Sequence, residues 1–164
     1  MSEAALIGAL DALGIAYTIH EHEAVFTVDE SAQLHADIAG AHTKNLFLKD
    51  AGGQFWLVTV PHDARVDLKA LPAAIGSKKI SFGKADDMER LLGVTPGSVT
   101  LLAAFNDATG AVRVVIDARL SDQTIVNVHP LRNTATLSLS GPALCMALEQ
   151  WQHAPLVMAV PTSD

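Results

Sequence analysis

The chain has 164 residues and 49% hydrophobic side chains, which fits one domain of ordinary size with a sizeable core. A formal net charge of −7 argues against a protein that coats DNA, and 18% charged residues is too few for a disordered chain. Cys145 is the single cysteine, which rules out an intrachain disulfide and a cysteine-based zinc site and fits a reducing cytoplasm. Met1-Ser2-Glu3 lacks a signal-peptide start, and no apolar run reaches the roughly 20 residues of a membrane span, so a cytoplasmic, membrane-free protein is expected.

Ser2 to Leu13 reads as a helix, with Leu6, Leu10 and Leu13 at i, i+4, i+7 and Gly14 as its stop. Ile15 to His20 reads as a short strand. Thr27-Val28-Asp29-Glu30 has the capping-box pattern and predicts a helix to His35. Residues 41–49 and 54–60 predict a hairpin around Asp50-Ala51-Gly52-Gly53, its second strand apolar enough to be buried on both faces. Asp67 is expected to cap a helix over Leu68 to Ile75, and Lys78 to Phe82 to form a strand. Asp86 is expected to cap a helix to Leu92, and Gly93 to Ser98 to form a loop. Strands follow at Val112 to Ile116, 124–128 and 133–139, and a helix from Pro142 to Trp151. No repeat, linker or domain boundary interrupts residues 1–164. The interspersed helices and strands predict a single α+β domain with a mixed sheet.

Alternation along the first hairpin strand puts His42, Lys44, Leu46 and Leu48 on one face and Thr43, Asn45 and Phe47 on the other. A lysine on an apolar strand face is unusual, because burying an ammonium costs several kcal/mol unless it is paired or faces a ligand. The plain alternative is a strand-end lysine that reaches out to water. If functional, Lys44 is a Schiff-base nucleophile, a general base or a fixed positive charge, and the last needs the fewest conditions. The loop with Gly93, Gly97 and Ser98 offers backbone N–H groups to an oxyanion or serves as a plain connector. His129, held extended by Pro130, either meets substrate or is a polar turn residue. His20 and His22 are weak metal candidates, no serine sits in a nucleophile elbow, and Cys145 reads as a buried small hydrophobe. No Gly-x-Gly-x-x-Gly or P-loop pattern points to a nucleotide cofactor.

His42-Thr43-Lys44-Asn45-Leu46-Phe47-Leu48-Lys49-Asp50 resembles the lysine-bearing strand of the YbaK/prolyl-tRNA synthetase-associated domain superfamily. Phe26 to Glu30, Gly93 to Val99, and His129-Pro130 with Asn133-Thr134-Ala135-Thr136 resemble its other motifs, in order and across essentially the whole chain. The Asn-Thr-Ala-Thr strand and the N-terminal helix are most similar to the free-standing ProXp-ala (PrdX-type) group. That resemblance implies a curved, mixed, mostly antiparallel sheet surrounded by helices, and trans-editing hydrolysis of alanine from tRNA for proline. It implies no metal, and with no nucleotide-binding motif in the chain no cofactor is expected. It implies Lys44 and Asn45 as catalytic residues, and the Gly93–Val99 loop and His129 as substrate-site elements. Val28, Leu46 and Phe47 are the expected pocket lining, in a pocket that excludes proline by size.

The expected partner is the acceptor end of mischarged tRNA for proline, with prolyl-tRNA synthetase as a further candidate partner. Lys44, Lys78, Lys79, Lys84, Arg90 and Arg132 are the available sources of local positive potential. The competing functions are a deacylase for cysteinyl or another mischarged tRNA, and a non-catalytic tRNA- or nucleic-acid-binding module.

Overall fold

A computed structural model describes residues 2–24 and 28–163, the side chains of Val28 and Asp29 excepted. Ser2 accepts the Ala5 N–H at 3.2 Å and so caps α1 (Glu3–Ala12), and Gly14 ends the helical segment at φ 71°. Leu6 and Leu10 are completely buried, as their spacing requires, and each contributes about 2 kcal/mol over an exposed leucine. The chain continues through β1 (Thr18–Glu21), α2 (Val28–Asp37), β2 (Ala41–Asp50), β3 (Phe55–Pro61), α3 (Leu71–Ile75), β4 (Ile80–Phe82) and α4 (Ala85–Leu92). Two 3-10 turns, Pro96–Ser98 and Leu101–Asn106, lead to β5 (Val112–Asp117), α5 (Ala118–Ser121), β6 (Val126–Val128), β7 (Ala135–Leu139), α6 (Gly141–Gln150) and β8 (Leu156–Met158).

Among the described residues one mixed sheet has the order β1-β7-β6-β2-β3-β5-β8, with β4 also on β2. Four pairings are antiparallel, and β2–β6, β3–β5 and β5–β8 are parallel. The α+β expectation therefore holds. The hairpin turn is built by Asp50, whose Oδ1 accepts the Gly52 and Gln54 N–H groups at 2.9 and 3.0 Å.

The sheet divides two apolar clusters. One packs Phe47, Phe55 and Leu57 against α1, α4, α6 and the buried turn Leu101–Asn106. The other packs Leu48, Trp56, Val58 and Val60 against α3. Consecutive residues of β3 thus face opposite clusters, and the strand is buried on both sides as its composition predicts.

Local expectations are corrected at several points. The first strand begins at Thr18, because Ile15 is drawn into the core instead. Asp67 accepts the Lys69 and Ala70 N–H groups, but that makes a turn, and the helix starts only at Leu71. Asp86 lies inside the first turn of α4, where it favours the positive end of the helix dipole, and Lys84 holds the cap position. The Thr27 cap expected for α2 lies outside the described residues.

Candidate active site

β2 runs through both halves of the sheet, and its first residues leave the core. Leu48 lies in the second cluster and Leu46 packs on its edge, so the face that carries Lys44 and His42 is apolar only towards its C-terminal end. Beyond that edge an open cleft of about 280 Å³ takes over. Its walls come from five places: Ser31, Leu34 and His35 of α2; His42, Thr43 and Lys44 of β2; His62 just past β3; Gly97; and the β6–β7 hairpin with Asn127, Val128, His129, Asn133 and Thr136.

Lys44 is half-buried in this cleft, and no carboxylate of the described residues lies within ion-pairing distance of its Nζ. Unlike Arg90, Arg119 and Arg132, which all hold carboxylates, it presents a charge that no carboxylate of the described residues neutralises.

The side chains that shape the floor are already occupied. Asn127 donates to the carbonyls of Ala39 and Ala41, accepts from the Ser138 hydroxyl, and its own carbonyl accepts the Thr43 hydroxyl at 2.7 Å. His129 bonds the Ala135 carbonyl through Nδ1 at 3.3 Å. A carbonyl only accepts, so Nδ1 carries the proton and Nε2 keeps its lone pair. Burial is the main cause that pushes the His129 pKa down, with the nearby His22 adding to it, so the ring is neutral at neutral pH.

The loop that presents His129 and Asn133 turns through Leu131 at φ 71°, a conformation a leucine rarely adopts. Arg132 holds it there. Its guanidinium bonds Glu3 of α1 at 2.9 Å, Glu21 of β1 at 3.0 Å and the Thr134 hydroxyl at 2.9 Å.

The cleft also contains three imidazoles in contact. His35 stacks on His42 with centroids 4.1 Å apart and planes at 27°, and His62 meets His35 edge-on at 4.3 Å. His42 is buried and bonds the Ile38 carbonyl through Nε2 at 2.8 Å, which ties α2 to β2. Burial, then repulsion from His42 and His62, pushes the His35 pKa down to about 4. Among the described residues no three histidine, cysteine, aspartate or glutamate side chains converge as metal ligands. The ring stack was missed in the sequence, because its members come from three elements and share no motif.

Of the residues predicted for the site, Lys44, Gly97 and His129 meet in the cleft, whereas Asn45, Leu46, Phe47, Gly93 and Ser98 do not line it. Asn45 sits behind the strand, where its Oδ1 accepts the Thr59 hydroxyl at 2.6 Å and its Nδ2 donates to the Val99 carbonyl at 3.4 Å. It fastens the 93–99 segment to β2. Phe47 is core, stacked on Phe55 at 5.4 Å, and Leu46 borders the other cluster. Gly93 ends α4 at φ 69°, and the Ser98 N–H is spent on the Thr95 carbonyl at 2.9 Å. Val28 opens α2, and its side chain lies outside the described residues. Arg132 and Arg90 are tied to carboxylates, which leaves the lysines as the cations of the predicted set without a carboxylate partner among the described residues.

Residues 22–145 match the family model described as the aminoacyl-tRNA editing domain. The chain is 42% identical over 137 residues to the prolyl-tRNA editing protein ProX of Acetoanaerobium sticklandii, covering 83% of this chain and 84% of that protein. It is 35% identical over 152 residues to the prolyl-tRNA synthetase associated domain-containing protein 1 of Danio rerio, covering 92% and 83%. Among solved structures, the hypothetical protein APE2540 superposes with a TM-score of 0.76 at 21% identity, covering 97% of this chain and 99% of that one. A proposed trans-editing enzyme for prolyl-tRNA synthetase superposes with a TM-score of 0.75 at 20% identity, covering 99% of each chain. At these identities the two structures speak for the fold.

Proposed function

The chain belongs to the aminoacyl-tRNA editing domain family, and from that premise we propose that it is a trans-acting deacylase that releases alanine from mischarged tRNA for proline. The reading takes residues 1–164 as one editing domain working in the cytoplasm, where the substrate is. The observation that carries it is the Lys44 charge, without a carboxylate partner among the described residues, in a small cleft where Asn127 and the His129 Nδ1 are already bonded in place.

An aminoacyl ester is an activated acyl group, so its hydrolysis needs positioning and charge stabilisation more than a strong nucleophile, and it needs no metal. Water adds to the ester carbonyl, and the ribose oxygen leaves and takes up a proton. Lys44 supplies a fixed positive charge that holds the 3′-terminal phosphate or polarises the carbonyl. The Gly97 N–H lies in the first turn of a 3-10 helix, where amides lack an intrahelical partner, and is the backbone donor for the developing oxyanion. His129 Nε2 accepts a hydrogen bond from the attacking water or from the substrate ammonium. Selectivity is steric, since a cleft fitted to a methyl side chain rejects the proline ring by clash.

The tRNA body meets lysines rather than arginines, namely Lys78, Lys79 and Lys84 near β4. The deciding experiment is a multiple-turnover assay on tRNA for proline charged with alanine, cysteine or proline, with Lys44→Ala alongside. The expected result is release of alanine only, its near-complete loss in Lys44→Ala, and an unchanged melting temperature in that variant. Release of cysteine with retention of alanine overturns the substrate, and an active Lys44→Ala overturns the role of the lysine. Hydrolysis no faster than the spontaneous rate makes the protein a binding module.

A further inference from the structure

The cleft has two chemically different ends. Around Lys44 it offers a cation, a backbone N–H and the His129 acceptor. At the other end it offers His35, His42 and His62 with the aliphatic Leu34 and the Ser31 hydroxyl. The first end suits an ester and its ammonium group. The second end has no place in the hydrolysis described above, although it forms a large part of the wall.

Three contacting rings usually signal a metal site, a cationic patch or a stacking surface. A metal site fails on geometry, because the rings lie face on face and edge on face, and His42 Nε2 is spent on the Ile38 carbonyl. A phosphate clamp needs charge, and burial holds both His35 and His42 below their ordinary range, so at neutral pH those rings are uncharged. A stacking surface remains. His42 is the buried floor, His35 lies half-buried on it, and His62, an exposed residue, meets His35 edge-on at the rim. Neutral heteroaromatic rings stack on a planar base irrespective of ionic strength, and Ser31 adds a hydroxyl for its edge.

We propose that the His35–His42–His62 cluster is the subsite for the purine base of the substrate's 3′-terminal nucleoside, with His62 as the ring on which the base stacks. The proposal rests on the deacylase reading for its substrate, but base binding itself does not depend on hydrolysis. The two ends then divide the work. The imidazole end fixes the nucleoside, and that placement delivers the ester on the 3′ side of the ribose to Lys44 and Gly97. His62 is a binding residue, and its loss raises KM and leaves kcat near the wild-type value.

The test has two arms. In the first, adenosine 5′-monophosphate is titrated into the protein and the histidine ring protons are followed by NMR, with cytidine 5′-monophosphate and ribose 5-phosphate as controls. Ring-current shifts of the His62 and His35 protons with the adenine nucleotide, and weaker or no shifts with the controls, are expected. Equal shifts with all three overturn the proposal in favour of a plain phosphate site. In the second arm, His62→Ala and His62→Phe are assayed on alanyl-tRNA. His62→Ala is expected to raise KM about tenfold, the scale of one lost base stack, and His62→Phe to restore it. An unchanged KM in His62→Ala, or failure of phenylalanine to rescue it, overturns the proposal. If the NMR arm succeeds while the wild-type protein hydrolyses no ester, the deacylase reading falls and the base subsite stands.

Discussion

Gly97 shows how little a side chain has to add at this cleft. A Cβ placed there would meet only the Asn133 amide, at 3.7 Å, and its backbone is not in the left-handed region. Gly97→Ala should therefore fold and melt like the wild type. If substrate lies against this backbone, the added methyl displaces it, and kcat/KM for alanyl-tRNA should fall about tenfold or more. Wild-type kinetics in that variant would remove Gly97 from the site. Asn45 is the contrasting case. Its position beside Lys44 suggested chemistry, yet both ends of its amide are bonded to Thr59 and Val99. We assign it as a positioning residue that holds the loop bearing Gly97. The sequence made Lys44 legible as a lysine on an apolar strand face, and Gly97 and His129 only through the family motifs that contain them. It could not show that Phe47 and Leu46 belong to the two cores, because alternation along a strand gives faces without saying what covers them. Nor could it show the imidazole stack, which exists only once α2 lies across the end of the sheet.

At the scale of elements, α2 meets β2 through a titratable contact, the His35–His42 stack. His35 has its pKa pushed down to about 4 from the usual 6.5, and Ser31, His42 and His62 are the polar groups around it. Above pH 6.5 the ring is neutral in both folded and unfolded chains, and there is no penalty. As the pH falls below 6.5, the unfolded chain takes up a proton that the folded one refuses, so stability drops down to about pH 4 and then levels with respect to this group. The expected observation is a melting temperature that falls across that window, and falls less in His35→Phe. The shifted carboxylates, Asp50, Asp107 and Asp117, act lower down, since they lose their native contribution only as the pH passes below their unfolded value. Packing makes a sharper demand at Gly83, between β4 and α4. A Cβ there would sit 2.3 Å from the Phe47 ring, which is clamped by its stack on Phe55. Gly83→Ala should cost about 1–3 kcal/mol by urea unfolding. Helices with a single apolar stripe and the Asp50 hairpin were readable from pattern alone. The turn Leu101–Asn106 was not, because Leu101, Leu102, Ala103 and Ala104 are all buried and leave no periodicity to read. The short elements α5 and β8 carry too few residues to show a pattern.

For the whole molecule, a net charge of −7 has to be reconciled with a polyanionic partner. The resolution expected is a small contact through a few lysines. KM for alanyl-tRNA should then rise several-fold between about 50 and 200 mM salt, while a minimal substrate such as 3′-alanyl adenosine changes little. Equal salt dependence for both would place the ionic contact in the cleft alone. The sheet order carries one more consequence, for synthesis. Lys44 is made early, but β2 pairs with β6 through Ala41–Val126 and His42–Asn127, and His129, Asn133 and Thr136 come later still. A nascent or prematurely ended chain that stops before β6 therefore owns the lysine without the cleft. It also leaves the start of β2 as an open strand edge, a surface on which incomplete chains pair with one another. Editing competence thus waits until the β6–β7 hairpin through Thr136 is in place, and fragments that stop short of it are a hazard to solubility before they are ever a catalyst.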